Sequence, residues 1–351
     1  MNPAPRLTSL AHGGGCGCKL SPKVLRELLA EQPATAGFAD LLVGTETGDD
    51  AAVWRLNDEQ ALVATTDFFM PIVDDPRDFG RIAATNALSD IYAMGARPIF
   101  ALAIVGMPVD KLPMETIRAI LAGGAEVCQA AGVPIAGGHS IDSAEPIYGL
   151  VALGLAHPSR LLRNSTARAG DALILTKPLG VGVLSAALKQ DRLDAAGYAA
   201  LIATTTQLNK VGADLAGKTG VHAVTDVTGF GLLGHTLEIC RAASLTAEIA
   251  MGAVPILPGV EPLLRQGVRT GASARNWESC ADACDASSSL EDWKRDLLTD
   301  PQTSGGLLIA VAADAASELL KFVHGEGFGH GGIIGWLRDG PSRVNIVQGD
   351  H

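Results

Sequence analysis

The segment His12-Gly13-Gly14-Gly15-Cys16-Gly17-Cys18-Lys19 sets two thiols and an ammonium among four glycines. Glycine lets backbone approach a ligand closely, and a neighbouring cation favours the thiolate, the nucleophilic form of cysteine. Two other readings stand beside a reactive loop. One is an unstructured tail. The other is a metal site, for which Cys16 and Cys18 supply two soft ligands where zinc takes about four. His12, or the Cys280-x-x-x-Cys284 pair, would have to complete it.

A second set is acidic. Gly48-Asp49-Asp50 reads as a turn before the strand Ala51–Trp54, and Asp67 follows Thr65-Thr66 at the end of an apolar strand. Asn86 and Asp90 are one helical turn apart and share a face. Asp226 closes another strand. Converging carboxylates repel unless a cation intervenes, and hard oxygen ligands suit magnesium, which in turn suits triphosphate. Taken singly, each Asp is as well explained as a turn or cap residue.

A third set is glycine-rich: Gly137-Gly138-His139-Ser140, Gly229-Phe230-Gly231 and Ser304-Gly305-Gly306. Backbone N–H groups at such turns can cradle phosphate oxygens. The sequence has no GxxxxGK[ST] and no protein-kinase signature set, so a nucleotide would be held by another fold.

The elements that must position these residues alternate between helix and strand. Residues 1–22 carry no periodicity and read as a mobile arm. A short helix is expected over Lys23–Glu31, after Ser21-Pro22. Strands are expected at Ala61–Thr66, Ile99–Val105, Val133–Ala136 and Ile147–Ala156, and helices at Asp78–Gly95 and Thr116–Ala131. His157–Ala169 breaks the pattern and marks a domain boundary. Beyond it come strands Ala172–Thr176, His222–Thr225, Leu307–Val311, Ile333–Trp336 and Val344–Val347. Helices lie within Val181–Leu188, Ala195–Lys218, Gly231–Ala242 and Ala315–Val323. Ala272–Asp300 is polar and reads as an irregular surface excursion. The pattern is α/β or α+β, in units of residues 1–45 (arm and helix), 46–157 and 165–348.

Composition sets bounds. The 351 residues suggest about two domains, and 47% hydrophobic content is enough for packed cores. A net charge of −11 without a Lys/Arg block argues against nucleic acid as a partner. No apolar run reaches membrane-spanning length, and no signal-peptide pattern opens the chain. The six cysteines then read as free thiols of a cytoplasmic protein.

Read in order, these motifs resemble those of the selenophosphate synthetase (selenide, water dikinase) family. They are Gly15-Cys16-Gly17-Cys18-Lys19, Thr47-Gly48-Asp49-Asp50, Thr65-Thr66-Asp67, Asn86-Ala87-Leu88-Ser89-Asp90, Gly137-Gly138-His139-Ser140, Thr225-Asp226-Val227-Thr228-Gly229-Phe230-Gly231 and Asp300-Pro301-Gln302-Thr303-Ser304-Gly305-Gly306. The acidic and glycine motifs alone indicate only the wider aminoimidazole ribonucleotide synthetase-like superfamily, which includes thiamine-monophosphate kinase and a hydrogenase maturation factor. The Cys-Gly-Cys-Lys arm is the specific element. Some family members carry selenocysteine where Cys16 stands.

The resemblance implies a two-domain fold whose N-terminal domain forms a β-barrel across a homodimer. It implies the reaction ATP + selenide + water → selenophosphate + AMP + phosphate, and a selenium-delivery protein as a possible partner. By motif matching Cys16 and Lys19 would be catalytic, and Asp50, Asp90 and Asp226 would hold Mg²⁺. Lys19, Thr47, Gly48, Asp49, Asp67 and Asp90 would contact ATP, with Gly138, His139 and Ser140 reaching it across the dimer. The alternatives are another ATP-dependent synthetase or kinase of that superfamily, and a non-catalytic metal or persulfide carrier using Cys16 and Cys18.

Overall fold

The structure, a computed structural model, describes residues 5–20, 24, 27–28, 38–286 and 290–349. Most of the helix expected over Lys23–Glu31 lies outside the described residues.

The N-terminal half is a six-stranded sheet in the order β1-β2-β3-β6-β4-β5. Its strands are β1 Leu41–Val43, β2 Ala52–Arg55, β3 Ala61–Phe69, β4 Arg97–Met107, β5 Ile135–Asp142 and β6 Ile147–Ala156. All neighbours are antiparallel except β4 and β5. Two helices, α1 Pro76–Ala93 and α2 Met114–Ala131, follow β3 and β4. Asp75 caps α1 by accepting from the Asp78 amide at 2.9 Å, with Pro76 at the first helical position. Glycine sets how closely the two helices meet. A Cβ on Gly80 would sit 1.9 Å from the Ile120 carbonyl oxygen, and one on Gly123 2.0 Å from that of Arg77. The pair packs backbone to backbone, which fixes α1 against the sheet.

The C-terminal half is a seven-stranded sheet in the order β10-β13-β9-β12-β7-β11-β8. Strands β7 Asp171–Leu175, β8 Val221–Asp226, β9 Leu245–Ala250, β10 Cys284–Ala286, β11 Leu307–Ala312, β12 Gly332–Asp339 and β13 Arg343–Val347 form it. Helices α3 Val181–Lys189, α4 Ala195–Thr205, α5 Val211–Leu215, α6 Gly231–Ala243, α7 Val260–Arg265, α8 Gly271–Cys280, α9 Asp292–Leu298 and α10 Ala316–Gly325 accompany it. No helix among the described residues is long and apolar enough to cross a membrane.

Several expectations need correction. Asp67 does not end a strand, because β3 runs on to Phe69. The Gly137–Ser140 motif is not a turn. It lies inside β5, whose residues are all at least partly exposed and so gave no apolar signal. The segment Ala272–Asp300 is not irregular. It holds α8, β10 and α9, whose buried faces rest on a few residues such as Cys280, Trp293 and Leu297 among many polar ones. Strands β1 and β9 and helix α7 were not anticipated.

Candidate active site

Two strands and one helix converge on an acidic centre. Asp226 ends β8, Asp50 lies in the turn before β2, and Asp90 is in the last turns of α1. One carboxylate oxygen from each lies within 4.8 Å of the others. Asp226 is buried, and Asp50 and Asp90 are partly so. Thr225 Oγ1 donates to Asp50 Oδ1 at 2.8 Å and Thr65 Oγ1 to Asp90 Oδ2 at 2.5 Å, while Asp50 Oδ2 and Asp226 Oδ2 are buried without a partner. Burial, then repulsion from Asp226, raises Asp50 and Asp90 well above the ordinary carboxylate range, and burial raises Asp226 too. Partnerless oxygens and mutual repulsion fit a divalent cation held by hard oxygen ligands. Among the described residues no other His, Cys, Asp and Glu side chains converge in this way. The Cys16, Cys18, His12, Cys280 and Cys284 set does not assemble, and His12 pairs with Glu145 at 2.9 Å.

The arm lies over this centre. Residues Gly15–Cys18 form a single tight turn, fastened by Gly15 N to Met70 O (2.8 Å) and Cys16 N to Thr303 Oγ1 (3.1 Å). Leu7 and Cys16 are buried. Cys16 Sγ donates to Asn86 Oδ1 at 3.2 Å. Asn86 is central: its Oδ1 also accepts from Ser304 N at 2.7 Å, and its Nδ2 donates to Asp67 Oδ2. Lys19 Nζ, on an exposed side chain, is 3.8 Å from the same Asp67 oxygen. Asp67 is the first cause of a raised Lys19 pKa, so the ammonium is secure.

The electrostatics correct one expectation. Burial, with Asp67 adding to it, pushes the Cys16 pKa well up, and the opposing pull of Lys19 is smaller. In this arrangement Cys16 is a thiol, not a thiolate. Cys18 differs in place. It is half-buried, its sulfur would stand 3.1 Å from a Cβ on Gly13, and burial raises it to about 11. The tight turn puts the two thiols in different surroundings, whereas an extended segment would have aimed both one way.

The Thr47-Gly48-Asp49 turn is held from the interdomain segment. Asn164 N donates to Asp49 Oδ1 (2.7 Å) and Asn164 Nδ2 to Gly48 O (2.9 Å), while Thr47 Oγ1 bonds Asp49. Gly48 has φ +62°, a conformation that favours glycine. Gly138, His139 and Ser140 are elsewhere, exposed on β5 at the far edge of the sheet from β2 and β3. The Asp300–Gly306 motif serves the scaffold. Gln302 Oε1 accepts from Gly180 N and Val181 N, and Asp300 Oδ2 from Gly182 N and Val183 N, so this loop caps α3.

Comparison with known proteins now has geometry to attach to. Residues 48–156 match the AIR synthase related protein N-terminal domain, and residues 168–347 its C-terminal domain. The selenide, water dikinase of Burkholderia pseudomallei is 65% identical over 343 residues, 98% of this chain and 97% of that one. That of Pseudomonas straminea is 59% identical over 347 residues, 99% of this chain and 97% of that one. The chain belongs to the selenide, water dikinase family. Family membership accounts for the two-domain AIR synthase-like fold, which extends to more distant proteins. The thiamine-monophosphate kinase of Stenotrophomonas maltophilia K279a superposes with a TM-score of 0.64 at 23% identity, covering 92% of this chain and 94% of that one.

Motif reading missed Asn86 as a bridge, Asn164 as the anchor of the Thr47–Asp49 turn, and Ser89, which hydrogen-bonds Asp226. Ser89 and Asn86 sit within a quoted motif, so their helix face was a usable signal. Asn164 had none. Lys177 was missed as well. Buried, its Nζ donates to Gln207 O (2.7 Å) and Ser304 O (2.9 Å), and burial lowers it to about 7.

Proposed function

We propose that this chain makes selenophosphate, AMP and phosphate from ATP, selenide and water, with the reacting groups meeting between the arm and the acidic centre. Full-length identity to selenide, water dikinases supports the activity. The observation that carries the site is the convergence of Asp50, Asp90 and Asp226, two of them with partnerless buried oxygens, next to the arm that bears Cys16 and Lys19.

In this reading those three carboxylates hold Mg²⁺. Bound there, magnesium supplies the positive charge that holds and polarises the triphosphate. The Thr47-Gly48-Asp49 turn and Asp67 contact the nucleotide. Lys19 presents its ammonium to the transferring phosphoryl, where charge builds up. Cys16 stands where selenide must arrive, and the docked turn excludes water from the first transfer. Asn86 acts through others: it holds the Cys16 thiol, the Ser304 amide and Asp67 in one register.

Gly138, His139 and Ser140 then act on a partner's nucleotide. The N-terminal sheet supports this. The face turned away from α1 leaves Trp54 and Phe68 exposed, and His139 and Ile141 belong to the same face by strand register. A second copy covering it would close a barrel across the two-fold axis. The six free cysteines accord with a reducing, cytoplasmic setting.

The deciding experiment is anaerobic nucleotide chromatography with and without selenide. AMP and phosphate should form together only when selenide is present. Selenide-independent turnover, or ADP as the end product, would favour another kinase of the superfamily. Light scattering on the same preparation should give twice the 36.1 kDa chain mass, and a monomer would remove the role given to His139.

A further inference from the structure

Buried cysteines remote from the arm have no part in this chemistry, and two of them are placed to react with each other. Cys280 ends α8 and Cys284 opens β10, with only the turn Ala281–Ala283 between them. The turn brings the two side chains into the same core cluster, and a hydrogen bond joins them. Both are buried, but not equally reachable. Cys280 lines a cavity of about 360 Å³ whose walls also include Thr47, Gly48, Glu238 and Arg241, and Cys284 does not. The hydrogen bond from Cys284, assisted by the charge of Arg241, lowers the Cys280 pKa, while Cys284 is pushed far up. Attacking and resolving thiols are therefore distinguished by access.

Helix α8 is also a fastening. Arg275 Nη2 donates to Gly17 O of the arm at 3.2 Å. Asn276 Nδ2 donates to Gly229 O and Thr299 O, both at 2.9 Å. One helix thus ties the arm to the Gly229–Gly231 turn and to the segment entering Asp300. Whatever moves its C-terminal end reaches all three.

We propose that Cys280 and Cys284 form a reversible oxidation site for peroxide, with Cys280 the attacking thiol and Cys284 the resolving one, set on the helix that fastens the glycine-rich arm. The Cys280 sulfur attacks one peroxide oxygen and the O–O bond breaks. The departing hydroxide takes the thiol proton and leaves as water, and Cys280 becomes a sulfenic acid. The Cys284 thiol attacks that sulfur, the S–O bond breaks, a second water leaves and a disulfide remains. Two thiols are oxidised by two electrons and one H₂O₂ is reduced to two waters. The reaction of selenide with dioxygen, HSe⁻ + H⁺ + O₂ → Se + H₂O₂, produces this oxidant wherever the substrate meets air. Drawing the sulfurs from contact to a bond of about 2 Å pulls the end of α8 toward β10. That displaces Arg275 from Gly17. The effect on turnover rests on the arm reading given above, whereas the oxidation chemistry does not.

The test treats reduced, full-length protein under nitrogen with one equivalent of H₂O₂, quenches with catalase, alkylates free thiols and maps peptides by mass. The expected result is a Cys280–Cys284 link, lighter by two hydrogens, reversed by dithiothreitol, with Cys128 and Cys240 still alkylated. In C284A, Cys280 is trapped as a sulfenic acid by dimedone and no link forms. Linked wild-type protein in which Cys16 remains alkylatable loses selenide-dependent AMP formation several-fold and regains it on reduction, while C284A, which cannot form the link, shows no such loss. Full alkylation of Cys280 after peroxide, or oxidation confined to Cys16 and Cys18, overturns the assignment without touching the proposed reaction. A link formed with unchanged turnover overturns the hold on the arm.

Discussion

Asp226 and Asp300 look alike in sequence, each following a threonine and each buried to 1% exposure or less with one partnerless oxygen. Their surroundings differ. Asp300 Oδ2 accepts from the amides of Gly182 and Val183 and from Gln302 Nε2, and the residue is absorbed in capping α3. Asp226 instead faces Asp50 and Asp90 across less than 4.8 Å. A buried carboxylate with a spare oxygen does not make a site. Several carboxylates whose oxygens converge do, because a bound cation relieves the repulsion without each having to take up a proton.

Replacing Asp226 by Asn should give the largest effect on turnover. It removes a charge from the acidic centre at nearly constant volume. Selenide-dependent AMP formation should fall by ~100-fold or more, as expected for loss of a metal ligand or its support. Without metal and nucleotide, the melting temperature should stay level or rise, since a repelling charge has gone. Asp50→Asn and Asp90→Asn should behave alike. Full turnover in all three variants would remove the magnesium assignment.

The arm sharpens the contrast, because its two thiols now have distinct settings. Cys16 is buried against Asn86 beside the acidic centre, and Cys18 is half-buried against Gly13. Cys16→Ser keeps a hydroxyl that can donate to Asn86 but removes the soft sulfur that, in the proposed reaction, stands where selenide must arrive. It should lose nearly all selenide-dependent AMP formation while still binding ATP measurably. Cys18→Ser should retain a substantial part. Active Cys16→Ser with dead Cys18→Ser would reverse the roles.

Much of this was legible in the sequence, and the gaps have physical causes. The strands and helices that carry apolar periodicity were found close to their observed limits, α1 and β6 among them. The three metal-type carboxylates were each named from turns, strand ends and one helix face. Motif order, and not spacing, grouped them, since Asp50 and Asp226 lie in different domains and meet only in the fold. What failed was partner accounting. Ser304-Gly305-Gly306 read as a phosphate cradle, yet its Ser304 amide is spent on Asn86 and its neighbours cap α3. A cap and a cradle use the same residue types, and only the tertiary partner separates them. Strand β5 failed for the opposite reason. A strand with no buried face shows no alternation to read.

The last prediction concerns Asp300, where substitution should leave turnover nearly unchanged and register in stability. Burial raises its pKa to about 8, from an ordinary value near 3.8, against the pull of Gln302 and two amides. The folded protein then keeps a proton that the unfolded chain releases between these values. Because the folded state holds more protons, stability should fall as pH rises from about 4 to about 8, by up to about 1.4 kcal/mol per pH unit, and level off above. Asp300→Asn is neutral throughout and lacks this slope. It should be less stable than wild type at pH 5, by roughly 1–3 kcal/mol for an amide group left buried without an acceptor, and should gain on wild type by pH 8.5. Lys177, lowered to about 7, adds an opposite slope above that pH in both proteins. Subtracting the two urea-unfolding profiles therefore isolates the carboxyl. A flat difference between pH 5 and 8.5 would mean that Asp300 is ionised in the fold, and that the N-terminus of α3 offsets its burial after all.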